Sequence, residues 1–265
     1  MQTLSVNKTT LSYHASGRGV PLLMVHGFPF DHTMWNGQIA ALSDRCRIIA
    51  PDLRGFGQSE INEGVVSMER MADDLAALLD ALTIREPVVF CGLSLGGYIA
   101  FEFWRKYAAR LKALILCDTR AAADKPEAAA NRLSMAGRVL REGPRPLIES
   151  MLPKLFSPRT YADRPQLVEE IERTMQRADP RGIAAAARGM AERRDFTAEL
   201  KHIRCPTLVL VGADDAFSPP AEMQTLAAAI PNSQFHIVPA AGHLAPLEQP
   251  AAANAAIKSF LADLE

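Results

Sequence analysis

A series of short apolar runs, each closed by a turn signal, limits most strongly what this chain can fold into. Pro21–Gly27 (PLLMVHG), Cys46–Asp52 (CRIIAPD), Pro87–Gly92 (PVVFCG) and Ala113–Asp118 (ALILCD) occupy the first half, and Pro206–Asp215 and Gln234–His243 follow later. A strand apolar at nearly every position, not at alternate ones, is buried on both faces. Between and after these runs, apolar residues recur at helical spacing in Met68–Leu82, Tyr98–Tyr107, Ala221–Ile230 and Ala251–Leu264. Strand–helix alternation of this kind predicts an α/β fold with a mostly parallel sheet covered by helices on both faces.

The stretch 121–200 breaks the alternation. It contains no convincing strand and is rich in Ala, Arg, Met and Glu. Prolines at 126, 144, 146, 153, 158, 165 and 180 punctuate it. Short helices joined by turns are expected there. The predicted organisation is an α/β core of residues 1–120 and 201–265 with a helical cap, 121–200, inserted in it. No internal repeat or low-complexity tract is visible.

Composition narrows the partners. Hydrophobic residues make up 48% of the 265, enough for a real core, and the formal net charge is −1 with no block of like charge. Nucleic acid is therefore not an expected partner. No apolar run approaches the roughly 18 residues of a membrane span, and the first residues do not read as a signal peptide. Cys46, Cys91, Cys117 and Cys205 are widely spaced, without a C-x-x-C pair. They read as buried thiols in a reducing compartment, which predicts a cytoplasmic protein.

Chemistry concentrates around Gly92-Leu93-Ser94-Leu95-Gly96, a G-x-S-x-G pattern. The strand before it is expected to end at Cys91 and the helix after it to start near Gly97. A turn that sharp strains the backbone at Ser94 and leaves no room for side chains at Gly92, Gly96 and Gly97. It lifts the hydroxyl to a helix N-terminus, where N–H groups favour developing negative charge.

A serine nucleophile needs a base, and the base needs an orienting acid. Of the histidines, His243 lies just past the last strand, at the carboxyl edge of the sheet where Ser94 also lies. Ligand sites of open α/β sheets form at that edge. His26 ends the first buried run and reads as structural; His32 lies near the site without an assigned role. For the acid, Asp214 and Asp215 both qualify by position. Asp215 is preferred, with Asp118 the competing candidate at the end of the strand after the serine helix.

These residues carry a resemblance. HGFPFDHTMW, PDLRGFGQS, GLSLGG, GADDAFSPP and AGHLAPLEQP occur in this order, and with them the chain resembles α/β-hydrolase-fold serine hydrolases over nearly its whole length. Ser, then Asp, then His is the chain order of that fold. The family's G-x-x-D spacing, counted from Gly212, supports Asp215. The resemblance implies backbone N–H donors at Phe28 and Leu95 for the oxyanion, and no metal or organic cofactor. It is nearest to the carboxylesterase, cofactor-free haloperoxidase (perhydrolase) and 3-oxoadipate enol-lactonase-like group.

The implied activity is hydrolysis of small carboxylic esters or lactones through an acyl-enzyme on Ser94, His243 and Asp215. Perhydrolysis or carbon–carbon hydrolysis on the same triad is the alternative, and a ligand receptor with a vestigial site is a further one. Pro29 lacks an N–H and restricts Phe28 to extended geometry. Pro29, Arg120, Met151 and Leu244 are candidate pocket residues. Arg120 could meet a substrate carboxylate or form a structural ion pair. Met135, Phe156, Met175 and Met190 are further cap residues that could line an acyl pocket or pack cap helices on the core. The RGFGQS stretch reads as a structural turn, with Gly55 and Gly57 supplying its geometry.

Overall fold

The computed structural model describes residues 1–264. Its strands are β1 (Gln2–Val6), β2 (Thr9–Ser16), β3 (Val20–Val25), β4 (Cys46–Pro51), β5 (Val88–Leu93), β6 (Leu111–Cys117), β7 (Thr207–Gly212) and β8 (Ser233–Val238). They form one sheet in the order β1-β2-β4-β3-β5-β6-β7-β8. Pairing is parallel from β4 through β3, β5, β6 and β7 to β8. Only β2 runs against its neighbours, pairing antiparallel with β1 and β4. Every position of β5 and β7 is buried, as strands covered on both faces must be.

The β1–β2 hairpin is absent from the apolar-run pattern, because β1 buries Val6 alone. Asn7 and Lys8 turn it, with φ of 45° and 60°. Two left-handed residues in succession match the twist of a hairpin.

The core helices are α1 (Asn36–Leu42), α2 (Met68–Ala81) and α3 (Leu95–Tyr107) in the first half. Ser67 caps α2 by accepting the Arg70 N–H at 3.1 Å, which satisfies one of its orphan donors. Met71, Leu75, Leu78 and Leu79 then form its buried stripe.

Between β6 and β7 lies the inserted helical region: α4 (Pro126–Glu142), α5 (Arg145–Leu155), α6 (Pro158–Asp163), α7 (Pro165–Arg177) and α8 (Pro180–Ala191). Except for Pro153, which lies inside α5, the prolines mark its helix starts. Pro126, Pro158, Pro165 and Pro180 each open a helix, and Pro146 is second in α5. There a missing N–H loses no hydrogen bond. The insertion is seated closely on the core through α8. A Cβ at Gly182 would overlap the Gly55 carbonyl, and one at Gly189 the Val66 carbonyl.

The chain closes with α9 (Pro220–Ala229), α10 (Ala245–Glu248) and α11 (Pro250–Ala262). Gly55 and Gly57 have φ of 87° and 55°, the left-handed geometry expected of the RGFGQS turn. Arg54 in that turn makes a buried two-pronged ion pair with Asp74. Cys46, Cys91 and Cys117 are buried, Cys205 is half-buried, and none is in a disulfide. Among the described residues no helix is long and apolar enough to cross a membrane.

Candidate active site

β5 ends at Leu93 and α3 begins at Leu95, so Ser94 alone makes the turn. The turn is tighter than the expected span from Cys91 to Gly97. Leu93 still pairs with β6, opposite Cys117. Ser94 sits at φ 52°, ψ −107°, a conformation that costs a non-glycine residue about 1–3 kcal/mol. Its backbone is held from both sides. Ser94 N–H donates to the Cys117 carbonyl at 3.0 Å, and its carbonyl accepts from Gly97 N at 2.9 Å and Thr119 Oγ1 at 2.8 Å. A Cβ at Gly92 would overlap Gly96, one at Gly96 the Val25 carbonyl, and one at Gly97 the Thr119 side chain. The glycines are thus a condition of the turn that exposes the hydroxyl.

Three side chains from different parts of the chain meet here. Ser94 Oγ lies 2.9 Å from His243 Nε2, and His243 Nδ1 lies 3.0 Å from each Asp215 carboxylate oxygen. With Nδ1–H donating to Asp215, Nε2 is left to accept the serine proton. Asp215 also accepts from Phe217 N at 2.8 Å, Ser218 N at 3.0 Å and Ser218 Oγ at 2.5 Å. Burial alone would push this carboxyl up. The His243 charge and the hydrogen bonds from His243 and Ser218 outweigh it and hold the carboxyl below its ordinary value.

The loop that carries His243 is anchored to the insertion. His243 N–H donates to the Leu155 carbonyl at 2.8 Å. Buried Glu248 accepts from Gly242 N at 2.6 Å, Ser157 N at 2.8 Å and Thr160 Oγ1 at 2.7 Å. Sequence reasoning missed Glu248, although it stands five residues after His243 in the same motif.

Of the other acids, Asp214 is exposed. Asp118 is fully buried, and its carboxyl accepts from Gly212 N at 2.8 Å and Ala245 N at 3.2 Å. His26 is buried and bonded to the Gly27 carbonyl at 2.8 Å and to Leu53 N–H at 2.9 Å, which holds the loop after β3. Burial pushes its imidazole down, towards the neutral form. Among the described residues neither the Phe28 N–H nor the Leu95 N–H has an acceptor. Leu95 opens α3, so its N–H is one of the orphan donors of a helix start.

A cavity of about 320 Å³ reaches Ser94 and His243, with Phe28, Tyr98 and Phe217 on its core side. Met135, Met151 and Met190 line it from the insertion. Phe156 and Met175 do not: Phe156 is buried edge-on to Tyr161, and Met175 is buried within the packing of α7. Pro29 and Leu244 also lie off the wall. Pro29 is buried in the turn closed by Phe30 N and the Gly27 carbonyl, after a cis Phe28–Pro29 bond. Leu244 is 1% exposed and belongs to the core. Arg120 is on the wall, but it donates to the Phe217 carbonyl and pairs with Glu222 at 2.9 Å. Tyr98 and Arg132, also on the wall, had no signal of their own in the sequence.

Among the described residues, Asp31, His32 and Asp52 bring donor atoms within 4.8 Å of one another. These donors are already engaged. Asp52 accepts from His32 Nδ1 at 2.7 Å, His32 N at 2.9 Å and Gln58 N at 2.9 Å, and Asp31 accepts from Thr33 N at 2.9 Å. The cluster holds the loop after β3 in place.

An eight-stranded, mostly parallel sheet with a serine at the strand-to-helix elbow defines a class, and sequence comparison agrees with it. The chain matches the Alpha/beta hydrolase family over residues 22–256 and belongs to that family. A thermophilic esterase from Thermogutta terrifontis, its structure holding malate, is 49% identical, with a TM-score of 0.98 over 100% of this chain and 99% of that one. The enol-lactonase from Burkholderia xenovorans LB400 is 29% identical, with a TM-score of 0.92 over 98% of this chain and 100% of that one. The 3-oxoadipate enol-lactonase 2 of Acinetobacter baylyi is 28% identical over 98% of this chain and 96% of its own.

Proposed function

We propose that this chain is a serine hydrolase that cleaves small carboxylic esters or lactones through an acyl-enzyme on Ser94. The observation that carries the reading is the Ser94–His243–Asp215 hydrogen-bonded chain, 2.9 Å and 3.0 Å long at its two links, opening on the cavity. The esterase and enol-lactonase relatives support it.

In this mechanism Ser94 Oγ attacks the acyl carbonyl carbon as His243 Nε2 takes the hydroxyl proton. Asp215 keeps the imidazole in the right tautomer and stabilises the imidazolium. The N–H groups of Phe28 and Leu95 receive the oxyanion; such a donor is worth about 3–4 kcal/mol. His243 then protonates the departing alkoxide. A water deprotonated by His243 attacks the acyl-enzyme, and Ser94 recovers its proton as the acid leaves. These steps call for no metal or organic cofactor.

Residues 121–200 act as the cap that roofs this site, and the buried thiols suit a reducing compartment such as the cytoplasm. The test is to react the protein with a short-chain p-nitrophenyl ester, quench within the first turnover, and map the adduct by mass spectrometry. An acyl group on Ser94 is expected. Turnover with acylation at another residue, or no turnover, overturns the reading.

A further inference from the structure

The cavity wall carries a cation that its surroundings do not fully use. Arg132, on α4, lines the same cavity as Ser94 and His243. Its Nε is held by Asp124, its Nη1 meets the Met190 sulfur at 3.4 Å, and the Tyr98 hydroxyl is its other neighbour. A thioether is a weak acceptor, so part of this guanidinium lacks the strong acceptor it suits.

The charges around it do not balance. The Asp124 side chain is 4% exposed and is shared, since Arg193 Nη1 lies 2.7 Å from its other oxygen. Arg193 is itself buried, its guanidinium 4.4 Å from the centre of the Tyr98 ring. Two guanidiniums therefore divide one buried carboxylate. Arg120, the other cation on the wall, has Glu222 to itself. Asp195 is exposed and takes the N–H groups of Ala123 and Thr197. Asp215 stands behind His243, with its charge taken up by His243, Phe217 and Ser218. One positive charge on the insertion side is left unmatched by any buried carboxylate. In a largely apolar cavity it attracts an anion more strongly than it would in water.

We propose that Arg132 forms a carboxylate-binding subsite, and that the substrate is an ester or lactone carrying a free carboxylate besides its scissile carbonyl. This inference rests on the ester-hydrolase reading above. The planar guanidinium fork matches a carboxylate, and Asn131 and Ser150 on the same wall add polar groups beside it. Arg132 is thus a specificity residue, outside the proton chain.

Two pairs of esters test it in wild type, Arg132→Gln and Arg132→Lys. One pair is 4-nitrophenyl butyrate and mono-4-nitrophenyl glutarate, with the charge on the acyl side. The other is phenyl butyrate and 4-(butanoyloxy)benzoate, with the charge on the leaving side. Each rate is normalised to alkaline hydrolysis of the same ester. In at least one pair the anionic member should have a kcat/KM higher by about tenfold or more, as a charge-assisted hydrogen bond provides. That ratio should fall to near one in Arg132→Gln and be partly kept in Arg132→Lys. A ratio within one preparation is insensitive to lost folded protein. No anionic preference in either pair, or a preference that survives Arg132→Gln, overturns the subsite. If the wild type hydrolyses no ester, the hydrolase reading fails, and the subsite is read by calorimetric titration with butyrate and its uncharged amide, butyramide. Tighter butyrate binding that Arg132→Gln abolishes supports it; equal binding of the two overturns it.

Discussion

Asp118 and Asp215 stand just past the ends of neighbouring parallel strands, yet only Asp215 touches His243. Asp118 instead accepts from Gly212 N and Ala245 N, tying the turn that carries Asp215 to the helix that follows His243. Burial, then the charge of Asp215, push the Asp118 carboxyl well above its ordinary value, while the Asp215 carboxyl lies below its own. Two nearby carboxyls are thus set apart, one raised and one lowered.

That division makes the two isosteric amides unequal. Asp118 does not touch His243, and Asp118→Asn keeps one carbonyl oxygen to accept a backbone N–H, at φ 45°, a backbone region asparagine tolerates. Its kcat should stay within about tenfold of wild type. Asp215→Asn should lower kcat by about 10⁴, because the amide favours the wrong histidine tautomer. Steady-state kinetics of the two variants on one ester decide the point, and similar losses in both would contradict the division.

Glu248 is expected to be a stability residue of the site. Glu248→Ala leaves three donors, Gly242 N, Ser157 N and Thr160 Oγ1, without their acceptor in a buried place. The expected loss is about 3–5 kcal/mol, measured by urea unfolding. Glu248→Gln, which keeps one carbonyl oxygen, should lose less.

Glycines that look alike in the sequence should respond oppositely. Gly96→Ala drives a methyl into the Val25 carbonyl at the serine turn. It should destabilise by about 1–3 kcal/mol and reduce activity. Gly137 lies inside α4, where a new Cβ meets nothing nearer than the flexible end of Arg141, at 3.4 Å. Gly137→Ala should stabilise by about 0.5–1 kcal/mol, visible as a higher Tm.

The His32–Asp52 pair predicts a pH window. Burial pulls the His32 imidazole down, but the hydrogen bond and charge of Asp52 outweigh it and raise it above 6.5. Burial pushes Asp52 up, but the His32 bond and the N–H groups of Gln58 and His32 hold it below 3.8. A raised histidine stabilises fully below its unfolded value, and its contribution fades as pH rises through the folded one. A lowered aspartate stabilises above its unfolded value and fades as pH falls through the folded one. The pair therefore contributes most between about pH 4 and pH 6.5. In unfolding titrations His32→Asn should trail wild type most in that window and less above pH 8. A gap independent of pH would contradict the assignment.

What the sequence made legible follows from how each feature is encoded. The parallel strands were readable because β5 and β7 are buried at every position. The N-terminal hairpin was not, because β1 buries a single side chain and its turn depends on two left-handed residues. The serine turn was readable because a tight strand-to-helix corner demands glycine at several nearby positions. Pro29 and Leu244, candidate pocket residues by sequence, stand next to Phe28 and His243 in the chain. Backbone direction turns both into buried packing. Arg132 escaped notice for the converse reason. It meets Tyr98 and the cavity only through the packing of α4 over the core, which one arginine among the 29 Lys and Arg residues does not announce.

The most direct test of the central claim is the kcat of wild type, Ser94→Ala and His243→Ala on a short-chain p-nitrophenyl ester, with folding checked by circular dichroism. The Ser94–His243–Asp215 account predicts that each variant stays folded and loses at least about a thousandfold, since triad members act as a unit. An inactive wild type, or a folded Ser94→Ala that keeps most of its activity, would contradict it.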